Sequence, residues 1–232
     1  GKEAFAGVAL RFLGVALQLE GNFKAAEAVY RKSIETFKTL RAVGKAYTVG
    51  ELAATNYIGE VLHWQGRLKE ALEVFEECAR RAEERNLFWG CSLFHSNAAN
   101  VAFDLGDFDR LNDHIDRAVE IFEHGRGGRS GSMLYSFLAL REAKRGHYSE
   151  ALQALERGEA LCAPIQKRSW TAPHLMVKAY LAELMLNDSE AQKVLGVFLK
   201  GNPKDYAAEC IAQYRALHVP HKVEALKNHF FK

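Results

Sequence analysis

Apolar positions near the start of the chain recur at helical spacing. Leu10, Phe12, Leu13 and Leu17 set an apolar face over residues 3–20, and steps of three and four predict an amphipathic helix. Gly21-Asn22 follows, where glycine can take the left-handed conformation that ends helices. A second helix then starts at Phe23, with Ala26, Val29, Tyr30 and Ile34 on one face. Gly14 in the first helix costs about 1 kcal/mol against alanine. It and Ala26 are small where the two helices are expected to cross.

The phrase joining these helices returns at even intervals. Gly21-Asn-Phe23-Lys-Ala-Ala26, Gly66-Arg-Leu68-Lys-Glu-Ala71, Gly106-Asp-Phe108-Asp-Arg-Leu111 and Gly146-His-Tyr148-Ser-Glu-Ala151 share one pattern. A degenerate fifth copy is Leu186-Asn-Asp188-Ser-Glu-Ala191, and the steps are 45, 40, 40 and 40 residues. Self-similarity at such a period predicts stacked units, each a helical hairpin whose apolar face a neighbour must cover. The expected repeats span 3–43, 46–85, 88–124, 130–161 and 172–200 of a single array, 1–232. Pro173 is expected in the first turn of its helix. The tail 203–231, with His218, His221, Lys222, Lys227 and His229, reads as polar capping helices.

In the first repeat, Leu13-Gly14, Gly21, Phe23, Ala26 and Tyr30, with Ser33 at a usual alanine position, resemble the tetratricopeptide repeat pattern. The period departs from the family's 34 residues. Longer units of this kind are similar to the sensor arrays of bacterial signal-transduction ATPases, transcription activators and signalling-peptide receptors. The resemblance implies an all-α, right-handed α-solenoid of about five hairpins plus C-terminal capping helices. It also implies a non-catalytic protein- or peptide-binding module, the sensor or interaction part of a larger bacterial signalling or transcription-regulatory protein. The alternative is an assembly scaffold, a homodimer formed through the ends or convex face, for which Trp64, Phe88, Trp89 and Trp170 are candidate contacts.

In such arrays the first helix of each hairpin lines a concave groove. Carried over, that register nominates Arg11, Asn56, Glu60, His63, Ser96, Asn100, Ser136 and Tyr180 as groove residues, with Lys144 and Met176 beside them. An asparagine amide both donates and accepts, so Asn56 and Asn100 are expected to grip the backbone of an extended peptide. The lysine–asparagine–arginine clamp for chaperone tails is absent: Val15, Leu93 and Asn97 stand at its positions.

Other chemistry narrows the picture little. Thirty-one basic against 29 acidic residues leave a formal charge of +2, without the basic stripe that nucleic acid requires. Cys78, Cys91, Cys162 and Cys210 are widely separated and read as reduced thiols of a cytoplasmic protein. No apolar run approaches a membrane span. The glycine-rich stretch at 124–132 lacks the lysine and strand of a phosphate loop and reads as an inter-repeat loop. Cys91 and His95, four apart, are too few for zinc. Neither catalytic residues, a metal site nor a cofactor is expected. Gly1 in place of methionine suggests a segment of a longer protein.

Overall fold

Glycine closes the hairpins. In a computed structural model that describes residues 2–40, 45–126, 131–162 and 168–232, Gly21, Gly66, Gly106 and Gly146 have φ of 78°, 78°, 71° and 80°. A Cβ disfavours that left-handed region. The Gly66 N–H donates to the His63 carbonyl and the Arg67 N–H to the Leu62 carbonyl, both at 2.9 Å. Equivalent paired bonds form at the other three glycines and satisfy the last carbonyls of each helix.

These turns join α1 (Lys2–Leu19) to α2 (Phe23–Leu40), and α3 (Lys45–Trp64) to α4 (Leu68–Glu84). They likewise join α5 (Phe88–Leu105) to α6 (Phe108–Ile121), and α7 (Gly131–Lys144) to α8 (Tyr148–Cys162). The apolar residue two places after each glycine opens the next helix. In the fifth pair, α9 (Arg168–Asn187) and α10 (Ser189–Leu195), Asp188 replaces the glycine turn. Its carboxylate accepts from the Glu190 and Ala191 N–H groups, both at 2.9 Å, and so caps α10. α11 (Pro203–Ala216) and α12 (Pro220–Phe230) complete twelve α-helices among the described residues, with no strand. None is long and apolar enough to cross a membrane.

Small residues let the helices cross. A Cβ on Gly59 would sit 2.6 Å from the Phe75 ring, and one on Gly14 would overlap the Tyr30 ring. Ala26, Ala71 and Ala151 are fully buried at the corresponding crossings. The buried face of α1 differs from expectation, because Gly7, Gly14 and Gln18 point inward. The rings of Phe37 and Tyr30 fill the space over the two glycines. Phe12 and Leu13 are therefore turned out, 64% and 50% exposed.

One further expectation is corrected. α9 begins at Arg168, so Pro173 lies inside the helix rather than in its first turn. Its missing N–H leaves the Ser169 carbonyl, four residues earlier, without a helical donor. The tail forms the two expected capping helices, joined by a turn of the same geometry as the glycine turns. His218 takes a left-handed φ of 58°, and the Val219 N–H donates to the Tyr214 carbonyl at 3.0 Å. α11 and α12 thus form another hairpin by the same turn, with histidine where glycine stood before. Val223, Leu226 and Phe230 at helical spacing bury one face of α12. Residues 127–130 of the glycine-rich stretch, and the side chains of Phe88 and Trp89, lie outside the described residues.

Candidate functional site

The first helix of each hairpin carries buried polar side chains, and the structure shows what they hold. Asn97 donates to Asn56 Oδ1 at 2.9 Å, and Asn56 donates to Glu60 Oε1 at 3.2 Å. Gln18 donates to Glu60 Oε2 at 3.5 Å and accepts from the Tyr30 hydroxyl at 2.8 Å. This ladder crosses from α2 through α1 and α3 to α5. Ser96 and Ser136 are fully buried, each bonded to a carbonyl one turn back, Ser92 at 2.6 Å and Ser132 at 2.7 Å. An unpaired buried amide is unfavourable by about 1–3 kcal/mol, so stacked helices spend these groups on one another. Asn56, Ser96 and Ser136 do not face an open groove.

Further along the wall, α12 itself is the occupant. Lys222, 2% exposed, donates to Asn100 Oδ1 at 3.1 Å, to Asp104 Oδ1 and toward Met176 Sδ at 3.9 Å. His63 Nε2 meets Asp104 Oδ2 at 2.7 Å. Burial raises the Asp104 carboxyl, but the Lys222 charge and the His63 hydrogen bond outweigh it and hold it below its ordinary range. Tyr180 packs against His229 and Phe230, with centroids 4.9 and 5.2 Å away. His63, Asn100, Met176 and Tyr180 are thus brought together, beneath the last helix. Arg11 stands apart, half-buried, its guanidinium 5.6 Å from the Phe12 ring centre. Lys144 is exposed and lies 4.4 Å from the Phe108 ring centre.

The wall opens where its two ends face each other. A cavity of about 710 Å³ is lined on one side by Val15, Gln18, Leu19, Tyr57, Glu60 and Trp64 of α1 and α3. On the other side stand Arg168, Ser169 and Thr171 of α9, with Gln213, Ala216 and Leu217 near the end of α11. The Ser169 hydroxyl is buried there without a hydrogen-bond partner. Arg168 is exposed and has no ion-pair partner among the described residues. Thr171 donates to Gln213 Oε1 at 2.5 Å. Of the nominated residues, Glu60 alone faces this space. Register placed Glu60; nothing local marked Arg168 or Ser169, because the wall opposite α3 is made by folding distant hairpins together.

Three other clusters have chemical potential. Ser136 Oγ lies 2.7 Å from His174 Nδ1, and His174 Nε2 lies 2.6 Å from Glu159. That is the bonding order of a nucleophile, base and acid. Ser136 and His174 are 0% and 3% exposed, so no substrate reaches the hydroxyl, and the cluster ties α7, α8 and α9. The His174 hydrogen bond, then Lys178, lowers the Glu159 carboxyl to about 2 against burial. In the second cluster His95 and His114 meet Nδ1 to Nδ1 at 3.1 Å, each also facing a carboxylate, Glu83 or Glu76. Cys91, instead of joining His95, donates to the Leu87 carbonyl. Burial pushes Cys78 and Cys210 up to about 12 and Cys91 to about 11, which keeps them as unreactive thiols. The third cluster is His63, Asp104 and His221, separated by 41 and 117 residues in sequence, a spacing no ligand motif would flag.

Comparison with known proteins agrees with this architecture. Tetratricopeptide repeat models match residues 52–86 and 7–32. No curated protein matches the chain by sequence. Among solved structures it is similar to the apo form of RapI, with a TM-score of 0.62 at 15% identity, covering 98% of this chain and 63% of that one. It is also similar to the Rap conjugation gene regulator of plasmid pLS20 in complex with the Phr* peptide, with a TM-score of 0.61 at 13% identity, covering 99% and 66%. BtubC from P. vanneervenii gives 0.56 at 19% identity, covering 96% and 81%. The chain therefore spans less than two thirds of the length of the two Rap proteins, and likeness at these identities speaks for the fold. The two matched segments are tetratricopeptide repeats, and the repeated glycine turns and these neighbours extend a tetratricopeptide-like helical fold over the other described residues.

Proposed function

We propose that the chain is a non-catalytic binding module that holds an extended peptide, free or as a partner's tail, in the cavity between α1 and α3 on one side and α9 and α11 on the other. The observation that carries this reading is the cavity's mixture of apolar and unspent polar groups. Val15 and Tyr57 line it with apolar surface, while Arg168 is exposed without an ion-pair partner among the described residues. Pro173 frees the Ser169 carbonyl to accept from a peptide N–H. Arg168 and Glu60, of opposite charge, stand on facing walls and would fix chain direction. The Rap regulator of pLS20 was solved with a peptide, which supports the same use of the fold. Within this reading the module is the sensor or interaction part of a larger bacterial regulator.

The test is selection of peptides from a displayed random library, followed by calorimetric titration. Arg168→Ala and Glu60→Gln should each weaken a selected peptide by about tenfold, the effect of losing one charged hydrogen-bond partner. Unchanged affinity in both variants would remove the peptide from this cavity.

A second reading, self-association, has its own observation. Phe5, Phe12 and Leu19 recur every seven residues along α1 and are 76%, 64% and 52% exposed. If this stripe pairs two copies, Phe12→Glu should convert a dimer to a monomer in light scattering. A monomeric parent chain would discard it.

A further inference from the structure

Both ring nitrogens of His221 are buried and have no hydrogen-bond partner. A neutral imidazole has one N–H to donate and one lone pair to offer, and leaving both unused inside a protein is unfavourable. The unused ring is aimed at an organised group. Its Nε2 lies 4.0 Å from Asp104 Oδ2, the same oxygen that meets His63 Nε2 at 2.7 Å. The His63 and His221 ring centres are 5.7 Å apart, and one ligand atom from each of the three residues lies within 4.8 Å of the others. A four-coordinate zinc ion bonded at about 2.0–2.1 Å spaces its ligand atoms about 3.3 Å apart. The two separations at Asp104 Oδ2, 2.7 and 4.0 Å, fall on either side of that spacing.

We propose that His63, Asp104 and His221 form a binding site for a divalent transition-metal ion of the zinc class, which fastens α12 to α3 and α5. Two imidazoles and a carboxylate suit such an ion, with a fourth position left for water or another ligand. The His221 side chain is 26% exposed, although both of its ring nitrogens are buried. Lys222 takes the other carboxylate oxygen, Oδ1. It holds the carboxylate in place as an outer partner would, leaving Oδ2 to the ion, while its charge opposes the ion and limits affinity. Because one ligand comes from α12, binding draws together parts of the chain that lie far apart in sequence.

The test uses the full chain, stripped with a chelator and desalted. Zn²⁺ is titrated by calorimetry, Co²⁺ by visible absorption, and each is repeated on His221→Ala and on the remote control His147→Ala. His221 makes no hydrogen bond to lose, so its variant should fold. The expected result is one Zn²⁺ per chain, four-coordinate Co²⁺ bands and a raised melting temperature with Zn²⁺. His221→Ala should weaken binding at least ~10-fold and abolish the thermal shift, with His147→Ala like the parent. Absence of saturable one-to-one binding would overturn the proposal. So would equal affinity in His221→Ala, which would place the ion elsewhere.

Discussion

Lys222 Nζ reaches Asn100 Oδ1 at 3.1 Å across 122 residues of chain, and the same ammonium pairs with Asp104 one turn later on α5. The contact lays α12 on the inner wall. It turns what would be an open groove over α5 and α9 into an interior, and leaves the cavity beside α1 and α3 as the accessible part of that wall.

Removing the lysine should therefore act on stability. Lys222→Ala leaves the buried Asp104 carboxylate without its charge partner, and breaking such a pair costs about 3–5 kcal/mol. Urea unfolding measures it, and Asp104→Asn in the same chain should recover part of the loss. A loss below about 1 kcal/mol would mean that the pair is solvated rather than buried.

Glycine at the crossings and glycine at the turns should fail for different reasons. Gly59→Ala drives a Cβ to 2.6 Å from the Phe75 ring and should cost about 1–3 kcal/mol by overpacking. Gly106→Ala meets no atom within 4 Å but must hold a φ of 71°, which costs about 1–2 kcal/mol. Combining Gly59→Ala with Phe75→Leu should relieve the first. No trimming of neighbours should relieve the second, and rescue of Gly106→Ala by a smaller neighbour would contradict this division.

Stability should fall in mild acid. Burial lowers the His95 ring from 6.5 to about 4 despite the opposing Glu83 hydrogen bond, and burial lowers His221 to about 4 as well. Below pH 6.5 the unfolded chain takes up protons that the folded rings refuse. Their contribution is thus fully present above 6.5 and is lost as the pH falls from 6.5 to 4, on the order of 3 kcal/mol for His95. Denaturant unfolding at pH 7 and pH 4.5 reads the difference. The double variant His95→Gln, His221→Gln should flatten it, and an equal slope in the variant would assign the effect to carboxylates.

The turn phrases made the hairpins legible, because a left-handed C-terminal residue is a local requirement that glycine announces. The two tail helices were legible too, but not the turn that joins them as a hairpin, because His218 adopts the same φ without the glycine signature. Site register was partly legible. Asn56 and Asn100 do project from the inner helices, but their partners, Asn97 and Lys222, lie 41 and 122 residues away. No periodicity records a pairing at that separation. The same holds for Arg168 and Ser169, which join the cavity only through the curl of the whole array.

A peptide held in the cavity between α1/α3 and α9/α11 would lie against both walls at once. The most direct measurement replaces Val15, and separately Gln213, with a photoreactive phenylalanine analogue, and irradiates each with a selected peptide bound. Lys69, exposed at the start of α4, serves as the outer control. The expected result is cross-linking from both cavity positions and none from position 69, with competition by unlabelled peptide. Cross-linking from position 69 alone, or from no position while calorimetry still shows binding, would contradict the claim.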